Sequence, residues 1–381
     1  MALAIQAAGL LHQYIWSWLH PTPSKRPDAL KLGVIAESYL DPATIIHPAN
    51  SHPSLILHAI STPTKHCADS LRSQYHFAVA YGAHHDLIDD AALDAIFVSA
   101  PIGLRYALVK KCLERGKHVL CESPVAANAA EVQELVRSAA EKSLVLLDGV
   151  HWHFHPATHA WRKIVDDQEY GRIIRTDASG MKLTVTGGST ISLLSALGAT
   201  RFALHATTPS TLLSVTARLS QTDPRVDAAL YAHLILEDPH NNPVNCRVYT
   251  DLARPWAVGV VPRVWEVPMI QVETEKAVIS YYNFLEPHLY HTIEVEDKST
   301  GETAYRKRYQ GGPLWGKVIV STGEEGGVGG WSSYRWQLEA FVDAVQGRTP
   351  AYWVAPRESV WMMESVDAVY RAAELPVRES V

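Results

Sequence analysis

Short apolar runs alternate with helix-length amphipathic stretches through the first 150 residues, and this alternation constrains the fold more than any other feature. The runs are residues 30–35, 55–60, 95–100, 118–121 and 144–147. Between them, residues 64–75, 104–115 and 127–142 carry apolar positions at helical spacing. Strands that are apolar throughout, rather than at every second position, belong to a parallel sheet covered on both faces. Right-handed crossovers then give a doubly wound domain. Gly116 stands where the second helix should end, as a C-cap glycine does.

Beyond about residue 150 the rhythm changes. Residues 156–167 suit a helix with Pro156 in its first turn. Extended, β-branched runs follow at 173–178, 212–217, 228–236, 244–249, 265–272, 277–282 and 291–295. Turn residues such as Asp238-Pro239, Asn241-Asn242-Pro243 and Ser299-Thr300-Gly301 separate several of them, so the expectation is one large open antiparallel sheet. Residues 311–330 are glycine-rich and read as a mobile loop. Residues 334–345 and 359–373 read as closing helices. The chain is thus α/β: an N-terminal extension (1–29), a Rossmann-like domain (30–150), an antiparallel-sheet substrate and dimerisation domain (151–350), and a C-terminal helix packed back on the body (351–381).

Composition excludes some roles. A formal charge of −6 on 381 residues argues against nucleic acid, which calls for clustered Lys and Arg. Eleven Trp and sixteen Tyr supply large rigid surfaces suited to cores and to apolar ligand pockets. Cys67, Cys112, Cys121 and Cys246 form no CxxC pair or zinc spacing, so reduced thiols of a cytoplasmic protein are expected. Residues 2–19 are apolar but broken by Gln6, His12 and Gln13, and Pro21 and Pro23 follow. They read as an amphipathic helix docked on the body, with a membrane surface as the second option, and not as a membrane span or secretory signal.

The sequences Ala95-Ile96-Phe97-Val98-Ser99-Ala100-Pro101 and Gly116-Lys117-His118-Val119-Leu120-Cys121-Glu122-Ser123-Pro124 make the reading more specific. With residues 148–156 and 334–341, they resemble the Gfo/Idh/MocA oxidoreductases, in particular the fungal form of the dimeric dihydrodiol dehydrogenase branch. The resemblance runs from about Leu30 to the C-terminus. It implies hydride transfer between a nicotinamide and a sugar-like or diol carbon, in a homodimer joined through the C-terminal sheet.

At the positions where that family holds its cofactor and does its chemistry, this chain departs from the pattern. In the first turn, Gly33-Val34-Ile35-Ala36-Glu37-Ser38 keeps Gly33, replaces the second glycine by Ala36, and sets Glu37 near the expected pyrophosphate. Ser38 and Pro101 belong to the same vestigial groove. Thr62-Pro63 replaces the pair that reads the ribose, and Pro101-Ile102 with Arg105 replaces Pro-Asn and a later His. Ser123 replaces the lysine that assists proton transfer, leaving Glu122 and Pro124. The segment that completes the catalytic set aligns with Ala196-Leu197-Gly198-Ala199-Thr200, without its carboxylate or its acid/base ring.

These departures lead to an expectation of lost redox chemistry and no cofactor. The leading reading is a redox-neutral enzyme (isomerase, cyclase, dehydratase or lyase) acting on a hydrophobic secondary metabolite. Two others stand beside it: an active NAD(P)-dependent oxidoreductase of the dihydrodiol dehydrogenase type, and a non-catalytic binding protein. The candidate catalytic residues are His153, Glu122, Thr200 and Ser123. His153 stands where relatives usually have Arg and suits acid/base work near neutrality; a packing histidine is the alternative. Glu122 serves as a base if burial raises its pKa, or is a structural acceptor. Trp152, Arg201, Lys182, His151, Ile102 and Arg105 are candidates for the substrate pocket, with Trp265 and Tyr282 as further stacking surfaces. His151, His153 and His155 would share one face of a continuous strand, but Pro156 argues that the strand has ended, and no metal is expected.

Overall fold

The computed structural model describes residues 22–38, 40–180, 190–207, 210–220, 227–251 and 267–380. The expected N-terminal helix, Lys182 and Trp265 lie outside them. Among the described residues no helix is long and apolar enough to cross a membrane.

Six parallel strands form the first sheet: β1 (Leu30–Ala36), β2 (Leu55–Ser61), β3 (Val79–Tyr81), β4 (Ala95–Ser99), β5 (His118–Glu122) and β6 (Leu146–Gly149). Their order is β3-β2-β1-β4-β5-β6, so the connection reverses direction between β1 and β4 and opens a crevice at the strand carboxyl ends. The helices are α1 (Pro42–Ile46, a π-type turn) and α2 (His47–Asn50), then α3 (Lys65–Tyr75), α4 (His84–Ile88), α5 (Ile102–Glu114) and α6 (Ala129–Glu141). Local chemistry sets their ends. Thr64 Oγ1 accepts from the Cys67 backbone N–H and Asn128 Oδ1 from that of Glu131. Gly116 adopts φ +73° just past α5, where Lys117 N–H closes back on Cys112 O at 3.0 Å. All five residues of β4 are buried, as expected for a strand covered on both faces.

The second sheet has eight strands in the order β14-β13-β12-β11-β7-β10-β9-β8. They are β7 (Ile173–Gly180), β8 (Thr211–Leu219), β9 (Asp227–Glu237), β10 (Pro243–Asp251), β11 (Met269–Thr274), β12 (Ala277–Tyr282), β13 (Thr292–Asp297) and β14 (Thr303–Arg306). All pairings are antiparallel except β7 with β10, so the sheet is mixed. Its inner face packs on α8 (Thr190–Ala203), and α8 in turn meets α11 (Pro356–Ala372). The remaining helices are α7 (Pro156–Val165), α9 (Gly312–Trp315) and α10 (Ser333–Val345).

Residues 151–154 form a 3-10 turn, so the strand has ended there and the three histidines do not share a face. Two expectations are corrected here. The stretch read as a catalytic segment, residues 196–200, lies inside α8, a helix the sequence reading missed. The glycine-rich stretch is packed rather than loose: Trp315, Val320 and Trp331 are buried, and Trp315 Nε1–H donates to Phe154 O at 3.0 Å. Its glycines admit the tryptophans, since a Cβ on Gly327 would stand 1.9 Å from a Trp336 ring carbon.

Candidate active site and cofactor groove

At the carboxyl ends of β5 and β6 a cavity of about 120 Å³ is lined by Glu122, Ser123, Asp148, His151, His153, Glu358 and Ser359, with Trp152, Leu285 and Met362 among its apolar walls. Parallel strands deliver their terminal side chains to this edge, and β5 and β6 are neighbours, which brings Glu122 opposite Gly149 and Cys121 opposite Asp148. Asp148 is buried, and Oδ1 has no hydrogen-bond partner. Burial pushes its carboxyl up to about 6, while the Ser123 and Ser359 hydroxyls and the Arg105 charge act in the opposite direction. Burial also raises Glu122, against Arg105 and with help from Asp148.

A further acid approaches from the sheet domain. Burial pushes the Glu286 carboxyl up to about 8, opposed by the Tyr334 hydroxyl, which donates to Oε1 at 3.0 Å, and reinforced by Glu122. Tyr334 stacks on His151 with ring centroids 4.0 Å apart. His151 Nδ1 lies 2.8 Å from Ser333 Oγ, which lies 3.2 Å from His288 Nδ1. Burial lowers His151 to about 3, so its ring is neutral.

His153 lines the same cavity, with Nδ1 3.3 Å from the Tyr352 hydroxyl and a buried, unpartnered Nε2. Burial first, then His159, Arg162 and His151, hold it well below the usual histidine range, so it is a neutral hydrogen-bonding ring and not an acid near neutrality. Trp152 is a buried wall residue packed edge-on against His153, Phe202 and Phe284. His155 caps α7, accepting from Ala157 N–H. Among the described residues no group of three His, Cys, Asp or Glu is placed to hold a metal ion.

Other candidates are occupied elsewhere. Thr200 Oγ1 donates to Ala196 O within α8. Arg201 donates to Ala206 O and lies over the Trp361 ring. Arg105 is a buried clamp: Nε–H donates to Ala100 O, and Nη1 to the backbone oxygens of Glu122 and Pro124. Ile102 opens α5, with Pro101 at its N-cap. Tyr282 is a half-buried residue of the sheet, on β12.

Sequence reasoning missed Asp148, Glu286, Tyr334, Ser333 and His288. Asp148 alone carried a signal, as an acid ending an otherwise apolar parallel strand.

In the groove, Gly33 serves strand packing, since a Cβ there would meet Leu93 Cδ1 at 2.6 Å. Ala36 ends β1. The Ser38 backbone N–H donates to Asp41 Oδ2 at 3.0 Å. Burial pushes Asp41 well above the usual carboxylate range, favouring its neutral form. Glu37 Oε1 lies 2.6 Å from His84 Nε2, and His84 Nδ1 lies 2.9 Å from Ser61 Oγ. Burial thus favours the neutral form of Asp41, and the Glu37 carboxylate is bonded to His84 on the β2–β3 side. The charge objection to a pyrophosphate there is weakened, and the crevice at the β1–β4 reversal fits a nicotinamide dinucleotide.

Residues 32–149 match the model of an oxidoreductase family with an NAD-binding Rossmann fold, GFO_IDH_MocA. The match places the Gfo/Idh/MocA family's NAD-binding domain over the first sheet of this chain. It is 25% identical over 329 residues to a D-xylose 1-dehydrogenase (NADP(+)) of Haloferax volcanii, covering 83% of this chain and 89% of that enzyme. It is 34% identical over 100 residues to the human trans-1,2-dihydrobenzene-1,2-diol dehydrogenase, covering 26% of this chain and 30% of that one. A 3-ketoreductase from Actinomadura kijaniata, solved with NADP and TDP-benzene, superposes at TM-score 0.72 with 17% identity over 90% of this chain and 98% of its own. An aldose-aldose oxidoreductase from Caulobacter crescentus does so at 0.70 with 16% identity, over 91% and 98%.

Two expectations are overturned. Gfo/Idh/MocA relatives named as dehydrogenases, and an NAD-binding domain model, contradict a redox-neutral enzyme. The same NAD-binding domain model, and a relative named for NADP(+), contradict a protein without a cofactor. The misreading came from setting the Glu37 carboxylate against the pyrophosphate, whereas it is bonded to His84 on the β2–β3 side.

Proposed function

We propose that this chain is an NAD(P)-dependent oxidoreductase acting on a carbinol or carbonyl carbon of a small hydroxylated substrate, as the names of its dehydrogenase relatives suggest. The observation that carries the reading is Asp148: a buried carboxyl with its pKa near 6, one oxygen unpartnered, facing the cavity at the carboxyl ends of β5 and β6. That edge is where doubly wound folds bind their ligands.

Pro101 and the N-terminus of α5, facing the crevice beside β1, would hold the dinucleotide phosphates. When bound, the nicotinamide supplies the hydride acceptor or donor. Asp148 takes the hydroxyl proton as the carbinol is oxidised and returns it in the reverse direction, with the Ser123 hydroxyl lining the same cavity. This gives the site an acid/base group although Ser123 stands where relatives have lysine. Burial raises Glu122 and Glu286 as well, so each disfavours its own charged form beside Asp148. The Trp152, Leu285 and Met362 walls favour a substrate with an apolar face.

Titration with NADH and NADPH, followed by turnover assays on trans-dihydrodiols and aldoses, tests this reading. Submillimolar nucleotide binding with measurable oxidation supports it; no binding of either nucleotide removes it.

The outer face of the eight-stranded sheet supports the expectation of a homodimer. Tyr231 and Tyr249 are exposed cross-strand neighbours, with exposed Leu213 on the adjoining strand. Light scattering at micromolar concentration, on wild type and on Tyr231→Lys, checks it.

A further inference from the structure

The Ser61, His84 and Glu37 side chains come from the carboxyl ends of three adjacent strands. Ser61 ends β2, His84 opens α4 just after β3, and Glu37 follows β1, whose Ile35 is in register with Ser61. Together they sit on the β2–β3 side of the reversal point, in the first mononucleotide-binding half of the sheet. Their hydrogen bonding has one consistent arrangement for a neutral ring. The Glu37 carboxylate only accepts, so His84 Nε2 carries the proton, and Nδ1 accepts from the Ser61 hydroxyl. The pair is well shielded, with side-chain exposures of 16% for His84 and 14% for Glu37. One Glu37 oxygen faces His84; the other remains to accept a further donor.

A dinucleotide's adenosine ribose offers two such donors, and a 2′-phosphate in their place brings a double negative charge. Domains that admit the phosphate place a cation after β2. Here that position is Thr62-Pro63, with Thr62 buried and its hydroxyl donating to Thr64 O at 2.6 Å. The nearest lysine in sequence, Lys65, is paired with Asp69.

We infer that the Glu37–His84–Ser61 array is the adenosine-ribose subsite, and that its carboxylate makes this chain select NAD(H) over NADP(H). The acid that reads the ribose would then come from the turn after β1 rather than from the end of β2. The selection is opposite to that suggested by relatives named or solved with NADP. It rests on the oxidoreductase reading above, but its test separates the two.

Equilibrium titration of the wild-type protein with NADH and with NADPH, read by tryptophan quenching and by calorimetry, needs no substrate. The expected result is a dissociation constant at least tenfold lower for NADH. The variant Glu37→Gln keeps the shape and removes the charge; it should narrow the ratio to about threefold or less, chiefly by tightening NADPH. Equal binding, or tighter NADPH binding, by wild type overturns the inference while leaving the oxidoreductase reading intact. A ratio unchanged in Glu37→Gln overturns Glu37 as its source. Failure of both nucleotides to bind overturns both readings. Because the wild-type ratio is decisive alone, the inference stays falsifiable even if the variant does not fold.

Discussion

Arg105 Nη1 donates to Pro124 O at 2.8 Å, and the same nitrogen donates to Glu122 O at 2.8 Å, so one guanidinium holds both sides of the loop that carries Ser123. The third bond, from Nε–H to Ala100 O, ties that loop to the end of β4. A buried arginine in this setting shapes the cleft floor without entering the cleft.

Arg105→Met should therefore act on stability. It leaves backbone oxygens without their charged donor, at a cost of about 3 kcal/mol or more. Arg105→Lys keeps the charge but not the fork and should recover only part of it. Urea denaturation of both variants checks the order wild type, Lys, Met.

Asp148→Asn removes the acid/base group while preserving shape. Turnover should fall by about 10²- to 10⁴-fold, with nucleotide affinity within about threefold of wild type. In wild type, oxidation should rise with pH through about 6, because the base form of Asp148 is the competent one and burial places its pKa there. A pH profile of kcat/KM, flattened in the variant, checks both statements.

Glu286 links stability to pH in the opposite sense from an ion-paired acid. Its folded-state pKa is about 8, above the ordinary carboxyl value of 4.5. The folded state thus binds the proton more tightly than the unfolded chain. The resulting stability is fully present below about pH 4 and is lost as pH rises toward 8, at up to about 1.4 kcal/mol per pH unit. The buried neutral histidines His151, His153 and His155 pull the other way, losing stability on acidification below their unfolded-state value. The informative quantity is therefore the difference between wild type and Glu286→Gln, which should shrink steadily in wild-type disfavour between pH 5 and 8. Thermal unfolding across that window measures it.

Gly327→Ala tests the packed glycine stretch. The residue has φ +75°, and the added Cβ would stand 1.9 Å from a carbon of the buried Trp336 ring. Ring and backbone must both move, at a cost of about 3 kcal/mol. A loose loop would tolerate the change, so an unaltered denaturation midpoint would rule out the packing described here.

Much of the site was legible only in part. Glu122 and Ser123 could be placed because Glu122-Ser123-Pro124 resembles a family motif, and the apolar run before it put that motif at the carboxyl end of a parallel strand. His153 was found at the cavity, but its protonation was not, since neutrality follows from burial among Trp152, Phe202 and Tyr352. Arg105 and Arg201 looked like substrate cations because a charge in sequence carries no sign of whether it faces a ligand or backbone carbonyls.

Periodicity and capping chemistry, which act over a few residues, determined the doubly wound sheet, most strand positions and the end of α5 at Gly116. They also determined which edge of the sheet holds ligands. What only the tertiary structure decided was the partner of each charge. Glu37 meets His84 across 47 residues, and Tyr334 meets Glu286 across 48. Local pattern encodes whether a side chain is buried; what it is buried against depends on how distant elements pack, and that choice converted an apparent barrier to phosphate into a subsite for ribose.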